Sequence, residues 1–281
     1  MALCVGTVSL AQAASNIDTT GIDAAIGRPG VWIEGVYLVT FPRPDLRVML
    51  DRVRLSTAQV VSFVTFIGTG ENSAMMGEIC ALPGEATPVI ERLRAGGLQI
   101  TAVHDHFLGE SPRIVFIHFM AQGRAIALAR SFRTALAATA TRLGKVSAPA
   151  ESREPGWAKV VGNALGRPTY YLAQSETLEA DVTSAHFPAG PMDYWYESTL
   201  YFQQASAGKI AATGDVMVTA SELNPVLSIL LEHHFQILAV HNHMLYEHPR
   251  LLFVHYWKIG TPQDLADGLK ATLAAVHTRQ K

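Results

Sequence analysis

The sequence predicts an α+β protein of two tandem homologous modules, each a mainly antiparallel sheet with helices packed on one face. Three observations predict it. Displaced by 137 residues, the chain matches itself without a gap from Ser62 against Thr199 onward, setting Gly77 on Gly214, Glu78 on Asp215, Pro88 on Pro225 and Gly123 on Gly260. Between 98–119 and 235–256, twelve of twenty-two positions are identical, which only shared ancestry explains. Within each copy, strand-length β-branched runs alternate with segments that open on helix-capping residues.

The boundaries follow from the repeat. Residues 1–14 read as a signal peptide, an apolar stretch closed by Ala11-Gln12-Ala13 in the pattern of a signal-peptidase site, although no Lys or Arg precedes it. Either the start lies further upstream or the stretch is an apolar helix; the expectation is export, to the periplasm or beyond the cell. The first module takes 15–144 and the second 157–281. The segment 145–156, small, polar and proline-bearing, links them. No later run of eighteen apolar residues predicts a transmembrane segment.

Each module is expected to unfold in the same order. A short helix ends at Gly27 or Gly166. Extended segments follow, such as Val36–Phe41 and Phe63–Ile67, then a strand near 74–82 or 211–219. Thr87-Pro88 and Asn224-Pro225 read as an N-cap with an N1 proline, opening helices over 88–95 and 225–233. Leu98–His106 and Phe235–His243 read as buried strands. A turn holding Pro112 or Pro249 returns the chain through Ile114–Phe119 or Leu251–Trp257 as a hairpin. A closing helix runs from about Arg124 to 140, or from Thr261-Pro262 to 277.

Composition excludes several classes. At 49% hydrophobic and 16% charged, the chain is a globular protein with a large core. A net charge of −2 gives no electrostatic case for nucleic acid. Two cysteines, Cys4 and Cys80, make no disulfide framework, and Cys80 sits in an apolar run as a core residue. There is no nucleophile elbow, Walker loop or dinucleotide fingerprint.

What could carry chemistry lies on the hairpins, in the pattern H-x-H-x3-E-x-P-R-x4-H. His104 and His106 stand two apart on a strand, so they share a face within about 7 Å of each other. Glu110 lies in the turn as a third ligand or general base, and His118 is on the returning strand. His241, His243, Glu247 and His255 repeat the set. Such donors suit a divalent ion, zinc foremost and iron or manganese next, with a position left open for water. Simple pairing across a tight hairpin sets His118 opposite about residue 100, away from His106, so it joins the site only if a bulge or sheet curvature brings it round, and otherwise serves a neighbouring site. A lone strand histidine is usually a hydrogen-bonded core residue, but burying three with a glutamate unpaired would cost several kcal/mol.

Arg113 and Arg250 either pair Glu110 and Glu247 to fix the turns or clamp the carboxylate or phosphate of a small ligand. Tyr256, Trp257 and Tyr194-Trp195-Tyr196 either wall a pocket or serve as core. Because each glutamate is close in sequence to its own histidines, separate sites are expected, one per hairpin, over a single site shared about a pseudo-twofold axis. Three functions compete: a metal-dependent hydrolase or lyase, a non-catalytic protein holding a metal or small ligand, and a scaffold whose histidines brace the hairpins.

The phrases V-H-D-H-F-L-G-E-S-P-R and V-H-N-H-M-L-Y-E-H-P-R-L-L-F-V-H-Y-W, with G-V-Y-L-V-T-F-P-R and the paired modules, are similar to those of the LppY/LpqO family of exported bacterial proteins and lipoproteins. The resemblance spans nearly the whole chain after the leader. It implies a protein of the bacterial envelope and supplies no reaction. This chain departs from it in Asp105, where Asn242 keeps the expected asparagine, and in lacking a lipobox. The H-x-H-x3-E spacing also looks like the first metal motif of cupins, but long helices between the strands mark it as convergence.

Overall fold

The computed structural model describes residues 17–144, 152–187, 190 and 192–279. The leader, Cys4 and most of the linker lie outside the described residues. The first module runs α1 (Thr19–Ile26), β1 (Val31–Ile33), β2 (Val36–Pro42), β3 (Met49–Leu50), β4 (Val53–Arg54), β5 (Val61–Gly68), β6 (Ser73–Ala81), α2 (Pro83–Ala95), β7 (Gln99–His104), β8 (Val115–Gly123) and α3 (Ala125–Leu136). The second runs α4 (Gly156–Leu165), β9 (Tyr170–Leu172), β10 (Thr177–Thr183), a 3₁₀ turn (Asp193–Trp195), β11 (Glu197–Ser206), β12 (Lys209–Thr219), α5 (Ala220–Glu232), β13 (Gln236–His241), β14 (Leu251–Gly260) and α6 (Pro262–Leu273).

The two sheets repeat one topology, β1-β2-β5-β6-β8-β7 and β9-β10-β11-β12-β14-β13, with every pairing antiparallel. The α+β class and the two modules are therefore as the sequence predicts. Helices α1 and α4 end on the left-handed glycines Gly27 (φ 88°) and Gly166 (φ 69°), where a side chain would be strained.

Two sequence expectations are corrected. Helices α2 and α5 begin five residues earlier than expected, because Glu85 and Glu222 reach back to the amides of Leu82 and Thr219 and cap the first turn there. Pro88 and Pro225 consequently lie inside their helices. The repeat is also not gapless from Ser62. Phe63 pairs with Glu78, whereas Thr199 pairs with Asp215, so the β11–β12 hairpin carries one residue more than β5–β6.

Alternation along the strands gives each sheet two buried faces. One face packs under its helices: Val39, Phe41, Val64, Ile79 and Phe119 meet Phe132 and Leu93 in the first module. In the second, Leu178, Leu200, Val216 and Tyr256 meet Val161, Leu230 and Leu269. The opposite faces meet each other. Phe116, Cys80 and Ile114 pack with Trp257, Leu238 and Ala211, and Val36, Ile67 and Met76 pack with Trp195, Met217 and Phe253. The chain is thus a four-layer stack of helices, sheet, sheet and helices. Polar bonds tie the inner layers: Trp195 Nε1 donates to Thr65 Oγ1 (2.9 Å), Trp257 Nε1 to Asp51 Oδ2 (2.9 Å), and Asn242 Nδ2 to the Thr101 carbonyl (3.0 Å). Trp195, Trp257 and Tyr256 are accordingly core residues.

Candidate metal centre

Of the alternatives the histidine spacing leaves open, a bulge is present in both copies. Between Ile100 and Ala102 the β7–β8 register slips by one, so Ala102, and not Thr101, faces His118. A one-residue slip exchanges the faces of a strand. It turns His104 onto the same inner face as His118. Leu238 is skipped likewise in β13–β14, which sets Ala239 opposite His255. His106 and His243 follow just past the ends of their strands.

The next strands bring in carboxylates. Glu78 on β6 is directly across from His118, and Asp215 on β12 across from His255. Because the inner faces of the sheets meet, the six imidazoles and two carboxylates converge on one buried centre between the modules. The ring of His104 stacks on that of His241 with centroids 3.4 Å apart, His106 lies 4.2 Å from His255, and His118 lies 4.4 Å from His243. The donors of the two hairpins thus come together across the modules: His104, His106, His241 and His255 have donor atoms within 4.8 Å of one another, as do His118, His241 and His243. Two further groups obey the pseudo-twofold, Glu78–His106–His118 and Asp215–His243–His255.

Hydrogen bonding orients the rings. His104 Nδ1 donates to the Asp105 carbonyl (3.2 Å), His241 Nδ1 to the Asn242 carbonyl (3.1 Å), and His255 Nδ1 to the Gly214 carbonyl (3.0 Å). The proton on Nδ1 leaves a lone pair on Nε2. All six Nε2 atoms, on His104, His106, His118, His241, His243 and His255, are buried without a hydrogen-bond partner. His118 Nε2 is 3.3 Å and His106 Nε2 3.7 Å from Glu78 Oε2. Donors around a tetrahedral ion at about 2.1 Å are about 3.4 Å apart, so this spacing suits a shared ion.

Burial sets the charges. It pushes the imidazoles down: His104 to about 4 and His255 to about 3, with His106, His118, His241 and His243 also well below the ordinary value. Neutral imidazole is the form that binds a metal. Burial raises the carboxyls, Asp215 to about 7 and Glu78 well above the usual range. The centre thus gathers eight polar groups away from water, and a cation bound among them would offset the cost of burying them.

The turn glutamates are elsewhere. Glu110 Oε1 accepts from the Ile114 amide (3.2 Å) and Glu247 Oε1 from the Leu251 amide (3.1 Å), so each carboxylate ties its own turn. Neither belongs to a donor group among the described residues; the carboxylates that stand with the histidines are those of Glu78 and Asp215. The repeat held the signal for these two: an acid after glycine, in an otherwise apolar strand, in both copies. Arg113 pairs Asp105 (2.7 Å) at an exposed hairpin tip rather than Glu110. Arg250 stands 3.6 Å from Glu247 and donates to the Leu245 carbonyl.

A family profile described as Domain of Unknown Function (DUF1259) matches residues 20–138 and again 171–275, one match to each module. No curated protein matches the chain. Among solved structures, the crystal structure of EtuB from Clostridium kluyveri aligns over 88% of both chains at 11% identity and a TM-score of 0.22, a likeness too low to bear on fold or function.

Proposed function

The chain belongs to the family described as Domain of Unknown Function (DUF1259), a description that assigns no reaction, and we propose that it binds a divalent transition metal, zinc foremost, at the histidine centre between its modules. One observation carries the reading: six buried Nε2 atoms have no hydrogen-bond partner. Buried polar groups are otherwise satisfied in folded proteins, and imidazole without thiolate suits zinc, then iron or manganese. His104, His106, His241 and His255 would hold an ion as a closed set. The Glu78–His106–His118 and Asp215–His243–His255 groups each offer three donors and leave room for water.

The three-donor groups favour a metal-dependent hydrolase or lyase. A bound ion would there supply Lewis acidity and a more acidic water, while Glu78 and Asp215 would hold or accept a proton at their carboxylate oxygens. The four-histidine group favours the second reading, a non-catalytic protein that stores or carries metal. The hairpin phrases support the narrower placement among LppY/LpqO-like envelope proteins, and Ala11-Gln12-Ala13 supports export with a mature chain beginning near Ala14.

The test is metal analysis of protein purified without a histidine tag and then incubated with zinc. Bound metal that is lost in a His104→Ala/His241→Ala variant supports the reading; wild-type protein that retains no metal after dialysis overturns it. Catalysis is separated from carriage by hydrolysis assays on metal-loaded protein, with Asp215→Asn as the comparison.

A further inference from the structure

Away from the centre, the two copies solve one electrostatic problem in different ways. In the first, the capping carboxylate of Glu85 accepts from the Leu82 amide (2.8 Å) and the Ala140 amide (3.0 Å), and its charge is met by the fully buried guanidinium of Arg43 at 3.0 Å. In the second copy Glu222 occupies the same position. It accepts from the Thr219 amide (2.8 Å) and the His277 amide (2.9 Å), the counterparts of Leu82 and Ala140. Among the described residues no guanidinium is bonded to it. His186 Nε2 lies 3.0 Å and His277 Nδ1 2.8 Å from Glu222 Oε1 instead.

We infer that His186, Glu222 and His277 form a second metal site, peripheral to the histidine centre, for a divalent ion that imidazole favours, such as zinc, nickel or copper. Two imidazoles and one carboxylate are a ligand set for such ions, and the three donor atoms lie within 4.8 Å of one another. At 3.0 and 2.8 Å the two imidazoles hydrogen-bond the carboxylate, and an ion bound among them would open these separations toward the about 3.4 Å of donors around one tetrahedral ion. Neighbouring hydroxyls hold the set: the Thr219 hydroxyl donates to Glu222 Oε2 (2.7 Å), and the His186 amide donates to Ser184 Oγ (3.1 Å). His277 is largely exposed, with its side chain at 75%, which leaves the remaining coordination positions to water. The first copy builds its cation into the chain; the second provides ligands for an exchangeable one.

The site joins the start of α5 to the tail that follows α6, so an ion there would staple that tail. The inference does not depend on the metal reading of the buried centre, because the test counts a difference. Zinc titration by calorimetry compares wild type, His186→Ala/His277→Ala and His277→Arg. The last variant supplies a fixed cation like that of the first copy and guards against a mere folding defect. One ion fewer per chain in both variants, with the remaining binding unchanged, is the expected result. Equal ion counts in all three proteins, which would leave only a histidine–carboxylate hydrogen-bonded cluster, overturns the site.

Discussion

His104 and His241, 137 positions apart in the chain, lie ring on ring with centroids 3.4 Å apart at the meeting of the two sheets. Each belongs to a hairpin that the other module's hairpin completes. His241 in particular takes part in both the four-histidine group and the His118–His241–His243 group.

Replacing His241 therefore acts on both halves. His241→Ala is expected to lower metal retention across the whole centre. Glu110→Ala is expected to spare the metal and to cost about 1–3 kcal/mol, since it leaves the buried Ile114 amide without its acceptor. Metal content together with thermal unfolding checks both. Metal loss in Glu110→Ala at unchanged fold would restore the turn glutamate as a ligand.

Acid should weaken the metal-free protein. The buried imidazoles stay neutral in the folded state, His104 down to about 4 and His255 to about 3, whereas in the unfolded chain they take up protons below about pH 6.5. The unfolded state then binds more protons between about pH 6.5 and 4, and stability falls as pH drops through that window. Asp215, Glu78, Glu179 and Glu197, raised in the folded state, act in the opposite sense, but six imidazoles outweigh four carboxyls. The Tm of chelator-treated protein should fall steadily from pH 7 to pH 5; a flat or rising Tm contradicts the burial of neutral histidines.

Gly214 is confined from two sides. Its φ of 137° suits glycine alone, and a Cβ there would collide with the Thr199 carbonyl oxygen. Its own carbonyl accepts from His255 Nδ1. Gly214→Ala is expected to destabilise by about 2–3 kcal/mol and to weaken metal binding by releasing the His255 ring. Denaturant unfolding and a zinc titration read the two effects separately.

Trp195 fastens one module to the other. It is buried among Val36, Ile67 and Met76 and donates to Thr65. Trp195→Ala is expected to cost about 3–5 kcal/mol and to loosen the packing of the two sheets, which calorimetry would show as a lower or divided transition. A single unchanged transition would mean that the remaining inner-face contacts suffice.

The duplication, the hairpins and all six histidines were legible in sequence because the pattern is local and occurs twice. The shared centre was not. Its formation depends on which faces of two sheets meet, and alternation shows that a strand has two faces without saying what covers the second. Glu110 reads as a ligand in the sequence because it is near the histidines along the chain. Antiparallel pairing instead brings Glu78 opposite His118 from forty residues upstream. The bulges at Thr101 and Leu238 could be required from the position of His118 and His255, but no residue type there announces them. Pro88 and Pro225 misled the helix starts, since the capping glutamates act further upstream.

The inner faces also bear on how the protein came to be. A single module standing alone would expose Phe116, Met76 and three imidazoles along one side of its sheet, and could assemble only part of each cross-module group. A half-length ancestor with this hairpin would have needed to pair with a copy of itself to bury that side, His against His on a true twofold axis. Fusion of two such genes makes the pairing independent of concentration and frees the halves to diverge, as Glu78 and Asp215, or Arg43 and Ser184, have done.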